Sequence, residues 1–193
     1  MRKLMNQVLR RARLGMLRDE SGATAVEFAL VIGPFMMVLG VIIETGLMLF
    51  TEYVMQSSVQ EAARQIRTGQ AQSAAMTEAT LKADYLCDTL NIIINCDTKV
   101  HVYVNAQASY TALQAALPDM LTVGPSYGGS TVNSSYNCGQ PSQAVAVVAT
   151  YDWEFTMPYF MGFFGNMGDD QIRRLVGFAM FRNEPFPAGS NCV

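Results

Sequence analysis

Two groups of residues in this 193-residue chain carry chemistry. The first is Gly22 followed five residues later by Glu27. They stand between a basic segment (Arg2, Lys3, Arg10, Arg11, Arg13, Arg18) and a charge-free run from Phe28 to Ile43, FALVIGPFMMVLGVII. A carboxylate that opens an apolar run is costly in lipid and calls for a partner. Cleavage after Gly22 would supply one, because it leaves an α-amine on Ala23, charged near neutral pH with a reference pKa of about 7.7–8.0. That amine lies four residues, one helical turn, before Glu27. The two charges can pair within one subunit, or Glu27 can meet the amine of the next subunit and set axial register. Either pairing removes the cost of two lone charges in low dielectric. The second group is Cys87, Cys96, Cys138 and Cys192.

The cut placed here is unlike a secretory one, in which the apolar core precedes a small-residue cleavage site and is lost with it. Here the core follows the cut and stays with the mature chain, as at a prepilin processing site. The plainer reading is a signal-anchor helix with Glu27 at the headgroup level. The stretch DESGATAVEFALVIGPF resembles the amino-terminal signature of TadE-like pseudopilins, components of the tight-adherence (Flp-type) type IV pilus machinery, and the match is dense through Pro34. Arg182-Asn183-Glu184-Pro185-Phe186 resembles the close of many TadE-like domains, while the middle of the chain matches only in general pattern. The resemblance implies cleavage between Gly22 and Ala23 by a prepilin peptidase, with Glu27 and Phe28 serving peptidase recognition and assembly. It implies a bacterial envelope protein whose partners are that peptidase, other pilins and pseudopilins, and the inner-membrane assembly platform. It also favours pairing of Glu27 between subunits. Flp-type major pilins are much shorter, so the chain fits the minor-pilin class.

Composition agrees with an anchored exterior protein. The apolar run resumes after Glu44 as TGLMLF, to Phe50, and about 20 helical residues cross a hydrocarbon core. Glu44 itself is expected to snorkel at the outer boundary, the alternative being a pairing with a neighbouring subunit. Lys and Arg beside a span stay cytoplasmic, so the carboxyl-terminal part is expected in the periplasm or, in a pilus, at the cell surface. The segment through Gly22 holds six of the 13 basic and two of the 16 acidic residues, leaving 7 basic against 14 acidic. An acidic mature chain argues against nucleic acid and against docking on anionic lipid. Four cysteines in an oxidising compartment read as disulfides. Of three connectivities, Cys87–Cys96 closes a short local turn, and Cys138–Cys192 ties a long Gly/Ser loop to the carboxyl terminus. There is no Cys-x-x-Cys, and His101 alone could assist a metal, so no metal or cofactor is expected.

These residues need an α+β frame: a long transmembrane and stalk helix packed on a small antiparallel sheet. The expected organisation is a cleaved leader over 1–22, a membrane and stalk helix over 23–72, and an extracytoplasmic α+β head over 73–193. Ser21 is a suitable N-cap, and Ala25, Ala29 and Gly33 share a face that lets helices approach closely. Pro34 removes a backbone donor and should kink or loosen the helix. Tyr53, Met55, Val59, Ala62, Ala63 and Ile66 recur near a 3.6 period, and Gly69 is the stop. A second helix is expected over 74–92, with Leu81, Tyr85, Leu86 and Leu90 on its apolar face. Strands are expected over 99–105, with Val100, Val102 and Val104 inward and His101 and Tyr103 outward, and over 144–155 and 172–181. Residues 109–120 suggest a short helix. Residues 124–143 read as a long surface loop, within which Asn133-Ser134-Ser135 matches a glycosylation pattern of little weight in a bacterium.

No catalytic constellation is present: there is one histidine and no Gly-rich phosphate loop. Asp152 and Glu154 would share a strand face, and Asp169-Asp170 reads as a solvated turn. The chain is a substrate of an enzyme rather than an enzyme. The competing reading is a signal-anchored envelope binding protein or adhesin that never enters a filament. For it, Tyr151, Trp153, Phe155, Tyr159, Phe160, Phe163 and Phe164 could line a partner surface as readily as a core.

Overall fold

The computed structural model describes residues 21–121, 136–156, 165, 172–187 and 192. The leader before Ser21, the Asn133 acceptor pattern, Asp169-Asp170 and the aromatic residues between 157 and 164 lie outside them. The described residues fall into two units that divide between Ile43 and Glu44. The first is the amino-terminal part of helix α1, Ser21–Arg67, which runs on through Pro34. Nearly every side chain in it is exposed.

The second unit is the head. From Glu44 onward α1 buries Met48, Met55, Val59, Ala62, Ala63 and Ile66. Tyr53, expected on that face, is 72% exposed. It is two residues from Met55, and two residues turn a helix by about 200°, so both cannot face the sheet. Three antiparallel strands follow, β1 (Val100–Gln107), β2 (Ala144–Glu154) and β3 (Ile172–Arg182), in the order β1-β2-β3. The register pairs Val104 with Val147 and Val147 with Ala179, all three buried on one face. Gly177 on that face meets α1: a Cβ built there would lie 2.8 Å from Val59 Cγ2 and 3.2 Å from the Met55 carbonyl oxygen. The opposite face is covered as well. Tyr103, Ala144, Ala146 and Val148 cluster with Leu113 of a later helix, Tyr110–Leu121. Tyr103 is therefore inward, not outward, because the helix after β1 packs on its side of the sheet. β2, buried on both faces from Ala144 to Tyr151, reads in sequence as the doubly apolar strand it is.

Between α1 and β1 lie α2 (Gln70–Ser73), α3 (Glu78–Leu81), a π-helical stretch (Lys82–Cys87), α4 (Asp88–Leu90) and α5 (Cys96–Lys99); the helix after β1 is α6. The second helix thus starts at Glu78 rather than Ala74. Ala75 sits at φ 47°, which breaks the helix, and Thr77 caps the new start, its Oγ1 accepting from the Thr80 N–H at 3.1 Å. Leu81, Leu86 and Leu90 are all fully buried. The π stretch makes this possible, because residues five apart, Leu81 and Leu86, come onto one face when a residue is inserted in the turn. Disulfides join Cys87 to Cys96 and Cys138 to Cys192, with Cα separations of 5.4 and 5.9 Å.

Candidate functional site

The candidate site is the amino-terminal turn of α1 and the apolar run behind it. Gly22 and Glu27 both lie within the helix and both are exposed. A Cβ at Gly22 would meet nothing within 4 Å. Among the described residues Glu27 takes part in no ion pair. Phe28 beside it is 66% exposed, and so are Leu30 (72%), Val31 (69%) and Ile43 (61%). Ala25, Ala29 and Gly33 are exposed too, and nothing approaches Gly33 within 4 Å. A contiguous exposed apolar surface of this kind requires a second surface or lipid to cover it. One helix in the described residues, Thr24–Arg67, is long and apolar enough to cross a membrane.

Glu44 ends this run differently from expectation. It is 6% exposed, and its Oε1 accepts from the Thr156 backbone N–H at 2.5 Å. A carboxylate that snorkels into the headgroups would be exposed. This one instead joins α1 to Thr156, two residues past β2. A charge-assisted bond from a backbone N–H offsets part of its desolvation.

The head is closed by groups that sequence periodicity does not report. Gln56 donates from Nε2 to the Phe178 carbonyl at 2.8 Å and accepts from the Phe178 N–H at 2.9 Å. The side-chain amide thereby pairs with the free edge of β3 as a neighbouring strand would. The Arg182–Phe186 stretch works as a clasp. Arg182 Nε donates to the Ser142 carbonyl at 2.7 Å, and buried Asn183 donates from Nδ2 to the Cys138 carbonyl at 2.9 Å. The Glu184 N–H caps α1 at the Arg67 carbonyl, 3.0 Å away. Phe186 covers Gly69, whose φ of 78° and lack of Cβ are both needed there: a Cβ would come within 2.6 Å of the ring. A local signal existed in the Asn-Glu-Pro run and in Gly69, but not the partners.

The other candidates resolve into structure. Asp152 and Glu154 do share a face, but Asp152 is held by Arg174 in a two-pronged bond of 2.7 and 2.8 Å, and Glu154 lies 3.7 Å from Lys99. His101 is half-buried on the α6 face, where burial, then the nearby Lys82 charge, pushes its pKa down. All four cysteines are in disulfides.

No curated protein and no solved structure matches the chain. The segment that carries Gly22, Glu27, the exposed apolar run and the first buried turns of the head, residues 22–64, matches the family model described as TadE-like protein.

Proposed function

We propose that the chain is a minor pilin, or pseudopilin, of a Tad/Flp-type pilus, acting in pilus assembly and adherence. The TadE-like family is one of structural, pilus-associated, pilin-like proteins rather than enzymes, which supports this reading. In it, residues 1–22 are a leader removed between Gly22 and Ala23 by a prepilin peptidase. Residues 23–72 are the membrane and stalk helix, and 73–193 the extracytoplasmic head. The protein spans the bacterial inner membrane once, amino terminus cytoplasmic and carboxyl terminus periplasmic, and passes from there into the pilus. Its partners are the peptidase, other pilins and pseudopilins, and the inner-membrane assembly platform. No nucleic acid, cofactor or metal is involved.

One observation carries the proposal: a largely exposed apolar helical run that opens on an exposed Glu27 with no ion pair among the described residues. An anchor alone needs the run but not the carboxylate, whose place in lipid costs roughly 2.5–3.5 kcal/mol near a helix centre and less toward its ends. A neighbouring subunit's α-amine removes that cost and fixes register. Glu27→Ala separates the two roles. It makes the helix more apolar, so insertion and leader cleavage are retained, while assembly into pili is lost. Normal piliation in the variant strain rules out the register role.

A further inference from the structure

The end of the head from which α1 departs has a surface of its own. Glu44 marks that end, bound to the N–H of Thr156, two residues past β2. The strands are antiparallel, so the last residues of β2 lie beside the first of β1 and β3, Tyr151 opposite Val100 and Glu154 opposite Ile172. Beside this edge, in the turn that precedes α5, stands Ile92. It is 85% exposed, more than any other large apolar side chain among the described residues. Its neighbour Ile93 lines a groove of about 360 Å³ together with Lys99, Tyr151, Trp153 and Glu154. Tyr151 and Trp153 stack edge to face, their ring centroids 6.3 Å apart.

Three observations select the occupant. From Ala23, about 20 residues at 1.5 Å each cross the hydrocarbon, which brings the chain out near Glu44. The edge that Glu44 touches is therefore at headgroup depth. Apolar surface continues there on α1 itself, where Leu47, Leu49 and Phe50 are about half exposed. Half-buried Trp153 and exposed Lys99 border the groove in front of buried Tyr151, and Trp and Lys are side chains that favour this layer. The charges are matched: Lys99 faces Glu154 at 3.7 Å and Arg174 holds Asp152 at 2.7 Å. A surface of paired charges on an acidic chain suits a zwitterionic bilayer and gains nothing from an anionic one.

We propose that this edge of the head is a lipid-binding surface, with Ile92 and Ile93 inserted among the upper acyl chains of a zwitterionic bilayer and Trp153 at headgroup level. The inference rests on the reading that α1 spans a membrane. Trp153 is the chain's single tryptophan and serves as the probe. The full processed chain is reconstituted in phosphatidylcholine vesicles carrying bromine at shallow or at deep acyl positions. The expected result is a roughly twofold loss of Trp153 emission with shallow bromine and little with deep, as suits an interfacial indole. Ile92→Asp with Ile93→Ser removes the quenching while the chain still floats with the vesicles. Ile92→Ser alone, at an exposed site, weakens it and leaves thermal unfolding unchanged. A chain that floats with unquenched Trp153, or quenching indifferent to the Ile92 variants, overturns the inference alone. A chain that does not float overturns the membrane reading beneath it. Quenching that requires phosphatidylglycerol overturns the zwitterionic assignment.

Discussion

Adding one methyl group at Gly177 tests whether α1 and the sheet form a single folded head. The Cβ of Gly177→Ala would lie 2.8 Å from Val59 Cγ2, 3.2 Å from the Met55 carbonyl oxygen and 3.3 Å from Met55 Cγ. Val59 and Met55 are fully buried, so neither can swing into solvent, and the carbonyl belongs to the α1 hydrogen-bond ladder. Overpacking of a filled core costs about 1–3 kcal/mol. For a unit of this size each kcal/mol moves the melting midpoint by about 2–4 °C, so Gly177→Ala is expected to lower it by about 2–12 °C. Val59→Ala deletes two buried methyl groups and costs about 1.5–3 kcal/mol by itself. Together the two changes should cost less than their sum, by about 0.5–3 kcal/mol, because the shortest clash is gone. Rescue stays incomplete, since the Met55 carbonyl still crowds the new methyl. The assay is thermal unfolding of the full chain in detergent micelles under non-reducing conditions, followed by near-ultraviolet circular dichroism. A Gly177→Ala protein that melts with the wild type, or strictly additive losses in the double variant, would refute the packing of α1 on β3.

The remaining perturbations probe the closure of the head. Cys192→Ser opens the ring to Cys138, worth at most about 4 kcal/mol in the loop-entropy model; limited proteolysis should trim the tail at the carboxyl end while the apolar part of α1 stays protected in micelles. His101 has a folded-state pKa below its ordinary 6.5, because burial disfavours the imidazolium. The folded state therefore binds its proton less readily than the unfolded chain, and the stability this contributes is present above about pH 6.5 and lost as the pH falls through the folded value. His101→Gln should flatten that acid limb in denaturant titrations at a series of pH values, and an unchanged limb would show that His101 is not its source.

The elements with strong periodicity were legible in the sequence. The 3.6-residue recurrence from Met55 to Ile66 and the doubly apolar Ala144–Tyr151 each have one way to be buried, and the structure buries them that way, while the charge-free run from Phe28 to Ile43 reads as the largely exposed helix it is. The positions of the cysteines beside a turn and a terminus were enough to choose the pairing. What escaped was whatever depends on a distant partner. Glu44 looks like a boundary charge until the Thr156 N–H is placed against it, 112 residues away. Tyr103 looks outward until α6 crosses above it. Gln56 is an unremarked polar residue on a helix until the free edge of β3 lies alongside. The break at Ala75 and the π stretch shift the second helix without altering which leucines it buries, so its face was readable while its start was not. At the candidate site, Gly22 and Glu27 stand out by spacing, and the roles proposed for them depend on molecules outside this chain.

The central claim is that Gly22 and Glu27 mark a cut that leaves the apolar helix on the mature protein. Intact-mass and amino-terminal peptide analysis of the chain recovered from bacterial envelopes addresses it directly. The predicted result is a single mature form beginning at Ala23, retaining Glu27 and the whole of Phe28–Ile43, and lost in favour of the precursor in Gly22→Val. A chain still carrying Met1–Gly22, or one cut beyond the apolar run, would contradict the account.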